Sequence, residues 1–140
     1  MSKLPADIPG VKSDLTVFGT LTKLVVGGQI PFAASESIKI SVGPDSNNLI
    51  LWMEVRFDME SIDIYTKRDG KWSTEIKKDN PYKKGDQMRV TLTATPTNYV
   101  LEILGIKDKM TICYPPQSDP PTLIWLDNQL HLNELQVATK

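Results

Sequence analysis

The segment from Leu49 to Gly85, LILWMEVRFDMESIDIYTKRDGKWSTEIKKDNPYKKG, changes character with a period of two. That period marks β-strands, whose successive side chains point to opposite faces. Leu51, Met53, Val55 and Phe57 form a uniformly apolar row and belong in a core. Ile50, Trp52, Glu54 and Arg56 then take the other face. In the next run Ile62, Ile64 and Thr66 face inward, while Asp63, Tyr65 and Lys67 face outward. Asp69-Gly70 between two strand patterns is a strong hairpin signal. Glu75 and Lys77 flank Ile76 and point away from it. With these strands as neighbours in one sheet, the outward rows merge into one patch. It holds Trp52, Glu54, Arg56, Asp63, Tyr65, Lys67, Glu75 and Lys77, with Trp72 at its edge.

The same alternation recurs along the chain. Leu15 to Val26 reads as strand broken by Gly19, and Ile30 to Ala33 follows Gly27-Gly28. Ser37 to Val42 ends in the turn Gly43-Pro44-Asp45. Leu49 to Phe57, Ser61 to Lys67 and Lys71 to Lys77 come next. Met88 to Ala94 and Tyr99 to Ile103 pair around Pro96-Thr97-Asn98, and Lys109 to Tyr114 continues the pattern. Pro115 to Pro121 is a proline-rich loop, and Thr122 to Leu126 and Leu130 to Val137 close the chain. Helical periodicity is absent. Short strands with frequent turn signals predict an all-β antiparallel sandwich or barrel. The 140 residues show no repeat and no shift in composition, so residues 1–140 are expected to form one domain with a sizeable core.

Charge and composition exclude several classes of function. The net charge of −1 gives no electrostatic case for nucleic acid or an anionic membrane. No apolar run approaches the roughly 20 residues of a membrane-spanning helix, so no membrane insertion is expected. MSKLPADIPG lacks the apolar stretch of a signal peptide, and no Asn-x-Ser/Thr sequon occurs. The single cysteine, Cys113, suits a reducing compartment and reads as a small buried hydrophobe. A cytoplasmic protein is expected, with any export going by a route independent of a signal peptide. His131 is the only histidine and lies far from Cys113, which argues against a metal or Cys–His site. Carboxylates on a flat, wet sheet face among lysines are poorly placed for glycoside hydrolysis. No enzymatic activity and no cofactor are expected.

The patch itself suits a sugar. Guanidinium and carboxylate groups give fixed donors and acceptors for hydroxyls, and their pairing holds them in place. An aromatic ring offers a flat surface to the C–H face of a pyranose. The plain alternative is the wet face that any antiparallel sheet carries, with cross-strand charge pairs.

The order of motifs adds to this. Val17-Phe18-Gly19 opens the chain, and Val55-Arg56-Phe57 ends a strand. Trp72-x-x-Glu75-x-Lys77 and Asn80-Pro81-Tyr82-x-x-Gly85 follow. Val90-Thr91-Leu92, Tyr99-Val100-Leu101-Glu102-Ile103 and Leu130-x-Leu132-x-x-Leu135-x-Val137 complete the set. Over nearly its whole length the chain resembles the galectin family, the β-galactoside-binding jelly-roll lectins. The resemblance implies an antiparallel jelly-roll β-sandwich of about ten to twelve strands. It implies a glycan or glycoprotein partner, and it suggests a homodimer through terminal or edge strands.

The family's sugar site uses a His-x-Asn-x-Arg strand, an Asn on the next strand, a stacking Trp and then Glu-x-Arg. Carried onto this chain, the His position is Trp52, the first Asn position is Glu54, and Arg56 is kept. The second Asn position is Tyr65, give or take one residue. Trp72 and Glu75 are kept, and the last Arg has become Lys77. The implied carbohydrate site is therefore Trp52, Glu54, Arg56, Tyr65, Trp72, Glu75 and Lys77. His and both Asn residues are lost. Trp52 has one donor and far more bulk, and Lys77 lacks the planar fork of an arginine. Glu54 beside Arg56 is a candidate to capture its guanidinium, as is Glu75. Trp52 is either a second stacking ring or a plug over a vestigial site. The expectation is weak or altered β-galactoside recognition, the rival being a galectin-derived structural or interaction module without sugar binding.

Overall fold

A computed structural model describes residues 10–14, 21–45, 47–73, 75–114, 123–127 and 130–139. The chain forms β1 (Gly10–Asp14), β2 (Leu21–Gln29), β3 (Ser37–Gly43), β4 (Leu49–Arg56), β5 (Ser61–Arg68) and β6 (Lys71–Trp72). Then follow β7 (Ile76–Asp79), β8 (Gln87–Ala94), β9 (Tyr99–Ile103), β10 (Met110–Ile112), β11 (Leu123–Asp127) and β12 (His131–Thr139). One sheet runs β1-β11-β3-β4-β5-β6, with β7 also paired to β5, and the other runs β10-β9-β8-β2-β12. Their inner faces supply the core. Ile40, Met53, Val55, Ile62 and Ile64 come from the first sheet, and Leu24, Val26, Leu92, Leu101 and Ile112 from the second. Each is at most 3% exposed, and each such buried aliphatic side chain contributes about 1.5–3 kcal/mol.

The Asp69-Gly70 turn forms where the sequence places it. Both residues have positive φ, 51° and 78°, the backbone that matches the twist of a two-residue hairpin. Three boundaries differ from the sequence expectation. Lys71 to Lys77 is two strands, not one. Lys67 pairs with Trp72 through β6, while Asp63 pairs with Lys77 through β7. Between them the Thr66 amide donates to the Ser73 side-chain hydroxyl at 2.9 Å, and that side-chain bond interrupts the ladder. Ile30 to Ala33 is a turn, in which Ala34 N–H donates to Pro31 O at 3.1 Å; Pro31 has no amide to offer a ladder. β1 was not expected at all. Its Gly-Val-Lys-Ser-Asp composition is weak for a strand, and it survives at a sheet edge paired with β11. The expected opening motif Val17-Phe18-Gly19 and the Pro115–Pro121 loop lie outside the described residues.

A β-bulge shapes β4. Leu49 pairs with Lys67 but Trp52 pairs with Tyr65, so β4 spends an extra residue against β5. As a result Ile50 and Leu51 both join the core, while Leu49 packs with Trp52 on the other face. Simple alternation had put Ile50 outside; the bulge turns it in. From Trp52 onward the alternation is regular.

Candidate functional site

β3, β4, β5 and β7 bring the site together. Across β4 and β5, Trp52 faces Tyr65 and Glu54 faces Asp63. Lys39 of β3 lies opposite Glu54, and Lys77 of β7 lies opposite Asp63. The outward side chains line a shallow depression of about 390 Å³ formed by Lys39, Trp52, Glu54, Arg56, Asp63, Tyr65, Glu75 and Lys77. Six of the seven residues assigned from sequence line it. Trp72 does not, and stands beside it, packed on Trp52. Lys39 was missed, although the polar positions of Ser37-Ile38-Lys39-Ile40-Ser41-Val42 mark it as facing the same way.

The aromatic residues form a closed triad. Trp52 is only 4% exposed. Its ring meets Tyr65 at 5.5 Å and Trp72 at 5.8 Å between centroids, with interplanar angles of 64° and 74°. Tyr65 and Trp72 lie 5.9 Å apart at 72°. These are edge-to-face contacts, the favoured arrangement for ring quadrupoles. On β5, Lys67 is 2% exposed and holds its ammonium 4.8 Å from the Trp72 ring centroid, a cation–π contact. The ring expected to serve as a stacking platform is thus already engaged by two aromatic neighbours and a cation.

The charged groups also partner one another, and not as the sequence suggested. Arg56 pairs with neither Glu54 nor Glu75. Its Nε donates to Asp58 Oδ1 at 3.3 Å and its Nη2 to Asp58 Oδ2 at 3.1 Å, with Asp63 3.8 Å away. The two-point hydrogen bond lowers the Asp58 carboxyl and raises the Arg56 guanidinium from their ordinary values. The spacing explains the swap: Asp58 sits in the turn just past β4 and reaches back along the same face. Glu54 is instead within 3.8 Å of Lys39. Glu75 accepts the Tyr65 hydroxyl at 2.5 Å, and Lys77 lies 4.0 Å from both Glu75 and Asp63. The hydrogen bond to Glu75, aided by burial, pushes the Tyr65 phenol up to about 12.

Other expectations fall elsewhere. Cys113 is exposed, not buried; it follows β10, a short strand at the sheet edge, where the apolar alternation ends. His131 lies on the exposed edge strand β12. Beyond Asp58, at the ends of β4 and β7, an open trough of about 830 Å³ includes Phe57, Glu60, Asp79 and Tyr82. The Arg56–Asp58 pair forms its boundary with the smaller depression. Among the described residues no group of three or more His, Cys, Asp or Glu is placed to hold a metal ion, and no helix is long and apolar enough to cross a membrane.

Residues 10–105 match the family described as galactoside-binding lectin. Similar solved structures share the two-sheet jelly-roll sandwich. Xenopus laevis galectin-Ib superposes with a TM-score of 0.73 at 23% identity, covering 92% of this chain and 99% of that one. CG-16, a homodimeric agglutinin from chicken liver, gives 0.71 at 18% identity, covering 91% and 100%. The complex of toad ovary galectin with thio-digalactose gives 0.71 at 18% identity, covering 93% and 98%. At these identities the likeness is one of fold. No curated protein sequence matches the chain.

Proposed function

The chain belongs to the galactoside-binding lectin family, and from that premise we propose that it is a carbohydrate-binding protein with a remodelled site that recognises β-galactosides weakly or not at all. One observation carries the reading. Trp52, which the family resemblance assigns to the His position, is buried against both Trp72 and Tyr65. A ring of that size fills the space in which a polar side chain would meet a sugar hydroxyl. The retained Arg56 and Glu75 are engaged by Asp58 and Tyr65. A site that lacks matched polar partners discriminates poorly, by up to about 10⁴-fold in strong cases.

The chain then works as one carbohydrate-recognition domain for a glycan or glycoprotein, with no catalytic step and no cofactor. The homodimeric chicken agglutinin supports a homodimer here as well. We place the protein in the cytoplasm, with export, where it occurs, by a signal-peptide-independent route. A second reading is favoured by the mutual pairing of the site's charged groups: a galectin-derived interaction module that no longer binds sugar.

A glycan array at high valency, run beside lactose calorimetry, separates the two. Binding to a defined glycan, lost in Trp72→Ala, supports the lectin. A folded protein silent across the array supports the interaction module. In the remodelled-site reading, Trp52→His with Glu54→Asn tightens lactose binding by at least about tenfold. No gain in that double variant defeats the remodelled-site reading.

A further inference from the structure

Four strands set four charges in one row. Lys39 of β3 lies opposite Glu54 of β4, Glu54 opposite Asp63 of β5, and Asp63 opposite Lys77 of β7. The order is plus, minus, minus, plus. The two carboxylates in the middle are directly opposed, with Cβ atoms about 4.5–5.5 Å apart, and like charges so placed repel. The lysines stand on the outside. Lys39 Nζ is 3.8 Å from Glu54 Oε2 and Lys77 Nζ 4.0 Å from Asp63 Oδ1, both beyond hydrogen-bond reach.

Asp63 is the more exacting of the pair. It is only 5% exposed, yet it lines the depression. Its Oδ1 accepts one hydrogen bond, from the Ser61 hydroxyl at 3.0 Å. Its Oδ2 accepts none among the described residues. Arg56 Nη1 stands 3.8 Å from that oxygen, and the guanidinium is held by Asp58. A buried carboxylate is costly unless its lone pairs are met. Asp63 therefore presents an unmet acceptor to the depression.

The charge balance defines what meets it. With Arg56 held by Asp58, the carboxylates Glu54, Asp63 and Glu75 share the ammonium groups of Lys39 and Lys77. One further positive charge completes the set. A metal ion fits poorly: a hard dication takes six or more oxygens, and among the described residues no group of three or more His, Cys, Asp or Glu is placed to hold one. A primary ammonium fits well. It is a compact charge with three donors, enough to bond two facing carboxylates at once, whereas a guanidinium is a flat fork suited to one. It enters between the carboxylates and displaces neither lysine from the outside. A volume of about 390 Å³ suits a small molecule.

We propose that Glu54 and Asp63 form an ammonium-binding subsite, and that the ligand is a glycan carrying a free amine. The inference rests on the lectin reading above and names its ligand class. Glu54 then recognises the ligand instead of merely blocking a galactoside.

The test is an amide NMR titration at about pH 6, where the amines are protonated. It compares methyl β-galactosaminide and methyl β-glucosaminide, each with its amine free, with methyl β-galactoside and methyl β-glucoside. At least one aminosugar is expected to bind about tenfold or more tightly than its hydroxyl counterpart. Acetylating the amine removes the charge and is expected to remove the gain. Glu54→Gln and Asp63→Asn each keep shape and delete one carboxylate, and each is expected to erase the amine preference. The same spectra report whether each variant is folded, and Glu54→Gln, at the less buried position, carries the test where Asp63→Asn is not. Equal affinity for amino and hydroxyl sugars overturns the subsite and leaves the lectin reading standing. A preference that survives in the folded variants also overturns the subsite. Nα-acetyl-lysine amide serves as a probe without a sugar. If it binds while every sugar is silent, the proposal and the lectin reading both fall and the occupant is a basic protein segment. Silence toward every probe overturns both as well.

Discussion

Asp58 grips Arg56 with both carboxylate oxygens, at 3.3 and 3.1 Å. A guanidinium held this way has fewer donors free for a ligand. Asp58→Asn is therefore expected to strengthen binding of whichever glycan the array identifies, read by calorimetry. A loss of affinity would show that the pair orients Arg56 for binding.

The same pair sets a pH dependence. The Arg56 hydrogen bond lowers the Asp58 carboxyl, so its stabilising contribution is present above the ordinary carboxylate range. It disappears only as pH falls through the lowered value. A carbon-detected NMR titration should find Asp58 protonating below the ordinary range. In Arg56→Gln the midpoint should move back up.

Tyr65 works in the opposite direction. With its phenol held at about 12 by Glu75, the bond's contribution is complete below the unfolded value near 10 and is lost as pH rises toward 12. Glu75→Gln should bring the Tyr65 midpoint down toward 10, visible in a tyrosine ring NMR titration. An unmoved midpoint would show that burial, not Glu75, is the cause.

Gly43 is fixed by close approach. A Cβ there would lie 2.1 Å from the Asn48 carbonyl oxygen and 2.9 Å from Leu49 Cα, both backbone atoms. Gly43→Ala should cost about 1–3 kcal/mol in urea unfolding. At Gly27 the nearest atom, at 3.0 Å, is Glu134 Oε1, the end of a flexible side chain, so Gly27→Ala should cost less.

Residues on opposite faces of one sheet, Met53 of β4 and Lys77 of β7, should separate core from site. Met53 is 0% exposed and faces the core. Met53→Ala should cost about 2–5 kcal/mol. Lys77→Ala, on the wet face, should change stability by no more than about 0.5 kcal/mol.

Much of this architecture was legible because period-two patterning is a local signal. Leu51, Met53, Val55, Ile62 and Ile64 declare one face, and Asp69-Gly70 declares its turn. What escaped were features decided by neighbours. Ile50 turns inward only because β4 bulges against β5, and pairing across strands is not written in either strand alone. Ser73 breaks the run from Lys71 to Lys77 by bonding Thr66 through its side chain, a choice that propensity does not reveal. At the site, residue membership was readable from alternation and from the family's motif order, but partner choice was not. Arg56 had several carboxylates within plausible reach, and only the path of the turn after β4 gave it to Asp58. Lys39 was overlooked because it sits on a strand outside the motif.

The bulge in β4 has a consequence for how such a site changes over generations. Beyond it, every second residue of β4 answers only to the wet face. A substitution at Trp52 or Glu54 leaves Met53 and Val55 untouched in the interior. Recognition can therefore drift by single codon changes while the interior stays under its own selection. A one-residue deletion inside the bulge would do the reverse, shifting the register between Leu49 and Trp52 and pitting the two faces against each other. Natural variants of this segment should accordingly be rich in substitutions at 52, 54 and 56 and nearly devoid of length changes between 49 and 52.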